Sequence, residues 1–318
     1  MKRTLVLVAV AAGVTLGGVA VWVAAQAASE TEKVRYDRES RYYRVRVVDY
    51  LDEGRRCLHF SKSRGIQSSM ILADPDGLDL RYSQTMMAAL ALHPSPKDVL
   101  LVGLGGASIP RFMSKHWPGI RLDVVEIDAD VVKVCQEWFE LKGAPGLRII
   151  VMDGRMYLKR SGKAYDVILL DAYAADRIPF HLTTLEFVQL ARSRLKAGGV
   201  MVSNLWEYGV NRFYDAELKT FQTVFPQTYL FKAGTSGNII VFGALAPNPT
   251  SKAAWVARAK TLVGNRDLKF DLPGLIADQY EMLTDRTINE KPLTDDLAPV
   301  ETLRREHPKH FETATSGE

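Results

Sequence analysis

The sequence has few of the residues that build disulfide or metal frameworks. Its 318 residues include two cysteines and six histidines. Cys57 and Cys135 stand far apart, and neither has a partner at the spacing of a zinc site. We therefore predict that both are buried free thiols, and we expect no metal ion in this protein.

A strong charge of either sign is also missing, as are internal repeats and low-complexity tracts. The formal net charge is +4, and the basic residues do not form the concentrated face that nucleic-acid-binding proteins show. With 47% hydrophobic and 25% charged residues, the composition is typical of a globular protein of one or two domains. Nucleic acid is therefore not an expected partner.

One long apolar run is present, over residues 5–25, and Lys2 and Arg3 precede it. Its length suits a bilayer span better than the core of a signal peptide. We predict that residues 1–28 anchor the protein in a membrane. The basic residues that follow favour an enzyme domain on the cytoplasmic side. The alternative is a signal segment that is cleaved near Ala27, followed by export.

The stretch over residues 98–128 has the parts of a nucleotide site. An apolar strand ends at a turn of small residues that includes Gly103 and Gly105, and a helix should follow from Ser108. A second apolar strand ends at Glu126, followed by Ile127. A carboxylate about 20 residues beyond such glycines suits the two ribose hydroxyls of a nucleoside.

Strand and helix patterns continue to alternate, which predicts a parallel sheet. Later apolar strands end at Asp153, followed by Gly154, and at Asp171. Two further strands, joined by the loop over residues 233–237, form an antiparallel hairpin. The expected fold is a Rossmann-like α/β sheet of the class I methyltransferase type. A nicotinamide fingerprint is disfavoured because its third glycine falls on Ser108.

The composition and the turn signals divide the chain into further regions. Residues 29–41 are polar and predict a linker, and residues 42–80 predict a small antiparallel β unit. Residues 81–246 form the expected nucleoside-binding transferase domain. Residues 196–199 are expected to close a helix with glycines. Residues 247–318 form a C-terminal extension.

Ligands of an open parallel sheet bind at the carboxyl ends of its strands, so these side chains receive expected roles. Gly103 and Gly105 let the backbone approach the tail of the cofactor. Glu126 accepts from the ribose, and Asp153 accepts from an adenine amino group. Asp171 lies nearest the reacting sulfonium carbon, where it orients an amine or takes its proton.

With these residues placed, the chain resembles the spermidine synthase family over roughly residues 42–244. The resemblance is carried by the stretches VGLGGASIPR, VVEID, VMDGRMYL, YDVILLDAY and LKAGGVMVSNLW. It implies that Glu126, Asp153 and their neighbours Ile127 and Gly154 hold the nucleoside. It also implies that Asp171 is the catalytic aspartate.

The departures from the family fall on the amine side. The aspartate of the family's glycine loop is replaced by Gly106, and the second carboxylate after the fourth strand has no exact equivalent because Asp176 falls two residues late. The stretches over residues 178–187 and 293–301 resemble a divergent, membrane-linked branch of the family. The candidate substrate contacts are Tyr82, Tyr173, Asp176 and His181.

The resulting hypothesis is a spermidine synthase-like transferase that uses decarboxylated S-adenosylmethionine or S-adenosylmethionine. It would transfer an aminopropyl group to a polyamine-type amine, which is the expected small-molecule partner. One alternative is a methyltransferase that uses S-adenosylmethionine on an unknown acceptor. A second is a non-catalytic, membrane-tethered protein that binds polyamine or nucleoside. The sequence leaves open whether the chain forms a homo-oligomer.

Overall fold

A computed structural model describes residues 31–60, 65–93, 95–173, 178–207, 210–234 and 237–296. These residues form two sheets, a small antiparallel one near the N-terminus and a larger mixed one. Helices flank the larger sheet, and both of its faces carry buried hydrophobic side chains. The described part of the chain is therefore an α/β structure, as the sequence predicts.

The small sheet has four antiparallel strands in the order of the chain. They are β1 (Glu32–Glu39), β2 (Arg44–Tyr50), β3 (Arg55–His59) and β4 (Ser68–Ile71). The prediction of a linker over residues 29–41 was wrong, because β1 pairs with β2 along its whole length. Its charges suit an edge strand, and Arg35 donates to the buried Asp49 across the pair at 2.6 Å.

The larger sheet has eight strands in the order β12-β10-β11-β9-β8-β5-β6-β7. Strands β5 to β9 run parallel, and β9, β11, β10 and β12 pair antiparallel. The strands are β5 (Asp98–Val102), β6 (Arg121–Glu126), β7 (Leu147–Val151), β8 (Tyr165–Leu170), β9 (Leu195–Trp206), β10 (Gln227–Lys232), β11 (Asn238–Ala244) and β12 (Glu281–Met282). The predicted hairpin after the parallel strands is present.

Nine α-helices occur within the described ranges. They are α1 (Arg81–Met86), α2 (Ala88–Leu92), α3 (Ser108–His116), α4 (Ala129–Trp138), α5 (Gly154–Arg160), α6 (Leu185–Ser193), α7 (Tyr214–Val224), α8 (Lys252–Val263) and α9 (Leu272–Gln279). The glycine cap predicted at residues 196–199 was wrong, because these residues belong to β9. Next to Tyr165 the pairing of β9 with β8 is irregular, because β9 has more residues there than β8 and its additional residues have no partner on β8.

Aspartates in the first half of three parallel strands are paired with cations. Asp98 on β5 accepts two bonds from Arg121, both at 2.7 Å, and Asp123 on β6 accepts two from Arg148. Asp166 on β8 pairs with Lys196 at 3.2 Å and accepts from the backbone N–H groups of residues 97 and 98. The bonds from Arg121 hold the pKa of Asp98 well below its usual range. The amino end of the sheet is therefore charge-compensated.

The described part of the C-terminal extension packs onto the sheet. Trp255 on α8 is fully buried, and its ring lies 4.9 Å from that of Phe231 and 5.2 Å from that of Tyr229. Its indole N–H donates to the carbonyl of Ala88 on α2 at 2.9 Å. This region therefore completes the core beneath the hairpin.

The predicted localisation at a membrane requires correction. None of the helices in the described ranges is long and apolar enough to cross a bilayer. The apolar run over residues 5–25, on which the prediction of an anchor depended, lies outside these ranges. Both cysteines are buried free thiols, as predicted.

Candidate active site

The glycine turn after β5 brings two strand ends into contact. Gly103 has a φ of +99°, which favours glycine. A Cβ atom at this position would lie 2.2 Å from the carbonyl oxygen of Asp171 at the end of β8. The chain leaves β5 for β6 on one side and returns to β8 on the other. This reversal of strand order is where open α/β sheets bind ligands.

The remainder of the turn is held from two sides. The buried thiol of Cys135 on α4 donates to the carbonyl of Gly105 at 2.9 Å. A Cβ atom at Gly106 would lie 2.8 Å from Oγ of Ser68, which comes from the small sheet. The small sheet therefore forms one wall of the site.

Glu126, at the end of β6, is 5% exposed. Its two carboxylate oxygens accept from the backbone N–H groups of Leu104 and Asp128, both at 2.9 Å. Burial raises its pKa, and these two hydrogen bonds oppose the rise. Tyr43 of the small sheet also lies next to this carboxylate, and burial together with the charge of Glu126 raises the pKa of the phenol. Glu126 and Ile127 line the same cavity.

Asp153 caps the helix α5 and has a second partner. One oxygen accepts from the N–H of Met156 at 2.8 Å, and the other lies 2.8 Å from Nε2 of His181. The side chain of His181 therefore contacts the predicted nucleoside ligand Asp153, although we expected it to contact the acceptor. Gly154 lines the cavity, and a Cβ atom there would lie 2.4 Å from Cγ1 of Val102.

Asp171, directly after β8, is half-buried and lines the cavity. Asn204 on β9 donates to one oxygen at 3.0 Å, and the Tyr82 hydroxyl lies within hydrogen-bond reach. No described cation pairs with it. Burial raises the pKa of Asp171 to about 7, and the bonds from Asn204 and Tyr82 partly offset the rise. Near neutral pH this carboxyl group can therefore both accept and release a proton.

Aromatic side chains complete this end of the cavity. The Tyr173 hydroxyl donates to the carbonyl of Asn204 at 2.8 Å, and its ring meets that of Trp206 edge to face at 6.2 Å. The cavity has a volume of about 520 Å³, within the range of small-molecule sites. Asp176 lies outside the described residues.

Two residues of the site were missed by sequence reasoning. From the sequence alone, neither Asn204, which follows the predicted fifth strand, nor Tyr43, which lies in the predicted β unit, received a role. A polar residue inside a buried strand is the signal that could have found Asn204. Tyr43 left no comparable signal, because its proximity to Glu126 depends on how the two sheets meet.

Comparison with known proteins decides the family. Residues 80–233 match the model of the spermine/spermidine synthase domain. The chain is 32% identical over 225 residues to a polyamine aminopropyltransferase of Vibrio vulnificus, covering 69% of this chain and 74% of the relative. It is 34% identical over 227 residues to one of Chromobacterium violaceum, covering 70% and 86%. The chain belongs to the spermine/spermidine synthase family.

A solved structure agrees with the class I methyltransferase-like fold. Human methyltransferase-like protein 13 in complex with SAH is 28% identical, with a TM-score of 0.53 over 60% of this chain and 93% of that chain. The predicted spermidine synthase-like family, the fold and the transferase class are confirmed. The roles of individual site residues remain predictions.

Within this family, the glycine loop of the present chain has its own packing. The resemblance places an aspartate where this chain has Gly106, and the close approach of Ser68 leaves no room for a side chain there. An aspartate would therefore require Ser68 to move.

A second buried carboxylate lies behind the site. Glu217 on α7 is 7% exposed and accepts from Nδ2 of Asn211 at 2.7 Å. Burial raises its pKa to about 7, and the bond from Asn211 opposes the rise. Burial and the charge of Asp171 raise the pKa of the Tyr173 hydroxyl, and the charge of Glu217 adds to this rise. Glu217 does not line the cavity.

The variant Glu217→Gln should be more stable than the parent above pH 7. A carboxyl group whose pKa is raised on folding favours the folded state below its unfolded pKa, near 4.3, and loses this contribution as pH rises through about 7. The neutral amide should add about 1–2 kcal/mol at pH 8 and almost nothing at pH 4. Urea unfolding at both pH values measures this. The exposed Glu137→Gln is the control, and an equal change at both pH values would contradict the prediction.

Proposed function

We propose that this protein transfers the aminopropyl group of decarboxylated S-adenosylmethionine to an amine. The observation that carries the proposal is Asp171. It is a half-buried carboxylate that lines the cavity without a described cationic partner, at the point where strand order reverses, beside the glycine turn. The family membership of the chain and the names of its relatives support the same reaction.

The residues present fit a nucleoside sulfonium substrate. Glu126 offers two carboxylate oxygens for the ribose hydroxyls, and its bonds from Leu104 and Asp128 fix their direction. Asp153 lies at the next strand end, where it would accept from the adenine amino group, and His181 orients its carboxylate. Gly103 and Gly105 line the cavity beside Asp171, where the chain attached to sulfur would lie.

At the reacting end, Asp171 would position the amine and take up the proton that the amine loses. Displacement at a carbon attached to a sulfonium depends mainly on alignment, since the leaving group is already activated. Asn204 donates to the carboxylate at 3.0 Å, and the Tyr82 hydroxyl, which donates to the carbonyl of Gln67 at 3.4 Å, lies within reach of it. A rigid carboxylate suits this role better than a mobile one.

Methyl transfer from S-adenosylmethionine is the second candidate. Gly106 favours it, because the resemblance assigns the aspartate at this position to the aminopropyl amine. The similarity to a methyltransferase-like protein in complex with SAH agrees with it.

An assay with each sulfonium donor separates the two reactions. The full chain is incubated with either donor and a mixture of putrescine, spermidine and butylamine, and the nucleoside product is identified by mass spectrometry. We expect methylthioadenosine from the decarboxylated donor. S-adenosylhomocysteine from the other donor, without methylthioadenosine, would replace the proposal with methyl transfer. If neither nucleoside product forms, both proposed reactions are refuted.

A further inference from the structure

Two stretches that are far apart in the sequence, residues 178–187 and 293–296, meet beside the cavity. The backbone N–H of Leu185 at the start of α6 donates to the carbonyl of Leu293 at 2.6 Å. Leu293 is buried, and its own N–H donates to the hydroxyl of Thr220 on α7 at 3.0 Å. This part of the C-terminal extension is therefore anchored against two helices that flank the larger sheet.

Asp295 joins the starts of two helices. Its Oδ1 accepts from Nη1 of Arg155 on α5 and from the hydroxyl of Thr184, the N-cap residue of α6, both at 2.7 Å. Its Oδ2 accepts from Nη2 of the same arginine, and its backbone N–H donates to Glu186 at 3.0 Å. Exposed ion pairs contribute little unless their geometry is good. This pair is bidentate, and the Arg155 side chain is 14% exposed, so the pair fixes the direction of the guanidinium.

Arg155 also contacts the loop that carries His181. Its Nη1 donates to the carbonyl of His181 at 3.2 Å. Nε2 of the His181 imidazole lies 2.8 Å from Oδ2 of Asp153, and it carries the proton because a carboxylate only accepts. Asp153 and His181 line the cavity, whereas Arg155 and Asp295 do not. A continuous series of contacts therefore leads from the C-terminal extension to the carboxylate that is proposed to bind adenine.

The direction of the Asp153 carboxylate decides which nucleobases it can bind. Oδ1 accepts from the N–H of Met156 at the start of α5, and His181 fixes Oδ2, which can still accept a second bond. A carboxylate held in this direction suits the amino group of adenine. A base with a carbonyl oxygen in place of that amino group would set two acceptors against each other without water between them, which is costly. The position of His181 therefore affects selectivity for a 6-aminopurine.

We propose that Asp295 is a positioning residue for nucleobase recognition, which acts through Arg155 and His181 on Asp153. The inference rests on the proposed function, which assigns Asp153 to the adenine amino group. Asp295 lies beyond residue 233, where the match to the spermine/spermidine synthase domain ends. The C-terminal extension thereby contributes to the selectivity of a site whose lining residues lie in the preceding part of the chain.

The affinities of two nucleosides test the inference. Methylthioadenosine has an amino group at the purine 6-position, and methylthioinosine has a carbonyl oxygen there. Calorimetry on the full chain gives the ratio of their dissociation constants. In Asp295→Asn, the preference for methylthioadenosine should fall about tenfold, because the amide nitrogen cannot accept from the guanidinium. The exposed neighbour in Asp296→Asn makes the same change in net charge and should keep the parent ratio. An unchanged ratio in Asp295→Asn would overturn the proposal.

A double-mutant cycle distinguishes positioning from a purely structural role. His181→Ala removes the contact with Asp153 and should itself lower the preference about tenfold. If Asp295 acts through His181, adding Asp295→Asn to this variant should change the ratio by less than about twofold. Any loss of stability in urea should be similar with and without His181. A further fall of about tenfold in the double variant would reject the route through His181.

Turnover separates failure of this inference from failure of the proposed function. With the decarboxylated donor and putrescine, Asp295→Asn should raise the KM of the donor about tenfold and change kcat by less than about twofold, since Asp171 keeps its partners. A changed nucleoside ratio without aminopropyl transfer would support the positioning role and reject the reaction. Normal transfer with an unchanged ratio would do the reverse. A parent protein that does not discriminate between the two nucleosides would reject Asp153 as the adenine ligand, and the inference with it.

Discussion

Replacing Asp171 with asparagine should lower kcat by about a thousandfold, within the range that a positioned proton acceptor contributes. Asparagine keeps the volume and can still bond to the amide of Asn204, but it cannot take a proton from the amine. Affinity for methylthioadenosine should change by less than about threefold, because the nucleoside contacts lie at other strand ends. Steady-state turnover and calorimetry measure the two quantities.

The pH profile provides the control for this assignment. Because burial raises the pKa of Asp171 to about 7, parent activity should rise with pH through about 7 as the carboxylate becomes available. This limb should be missing from the residual activity of Asp171→Asn. Tyr82→Phe, which removes one bond to the carboxylate, should keep the limb and move it to higher pH. More than a tenth of parent activity in Asp171→Asn would refute the role.

Replacing Glu126 with alanine should weaken binding of methylthioadenosine about a hundredfold, or about 3 kcal/mol. The substitution removes the proposed partner of the ribose. It also leaves the N–H groups of Leu104 and Asp128 without their acceptor inside the protein. Each such loss should lower the free energy of unfolding by about 1–3 kcal/mol. Calorimetry on the full chain measures the affinity.

Glu137→Ala is the matched control for this experiment, since Glu137 is an exposed glutamate on the next helix. It should bind methylthioadenosine as the parent does. A Glu126→Ala variant that folds and keeps the parent affinity would show that the ribose lies elsewhere. Circular dichroism and urea unfolding establish whether the variant is folded.

The parallel strands, the glycine turn and the hairpin could all be predicted from the sequence. Buried parallel strands are continuous apolar runs, and their ends are marked by glycine or a carboxylate. The side chains of Glu126, Asp153 and Asp171 therefore fall at one edge of the sheet for a topological reason. These features are local in the sequence, so local patterns suffice to find them.

The rest depends on contacts between distant segments. Strand β1 has a polar sequence because it is an edge strand whose charges pair with β2 and with solvent. His181 was expected at the acceptor, but the loop that carries it places Nε2 beside Asp153. Tyr43 meets Glu126 only because the small sheet covers the larger one. Such contacts between distant segments are not predicted by any local sequence pattern.

The carboxylates at the two ends of the parallel strands have different partners. Asp98 and Asp123 near the amino end are matched with arginines, whereas Asp171 at the other end has no described cation beside it. The scaffold and the chemistry therefore rest on separate sets of residues. A lineage with this architecture can exchange one acceptor for another by substitutions around Asp171, while the set that maintains the sheet stays unchanged. Divergence of activity within the fold then requires little loss of stability.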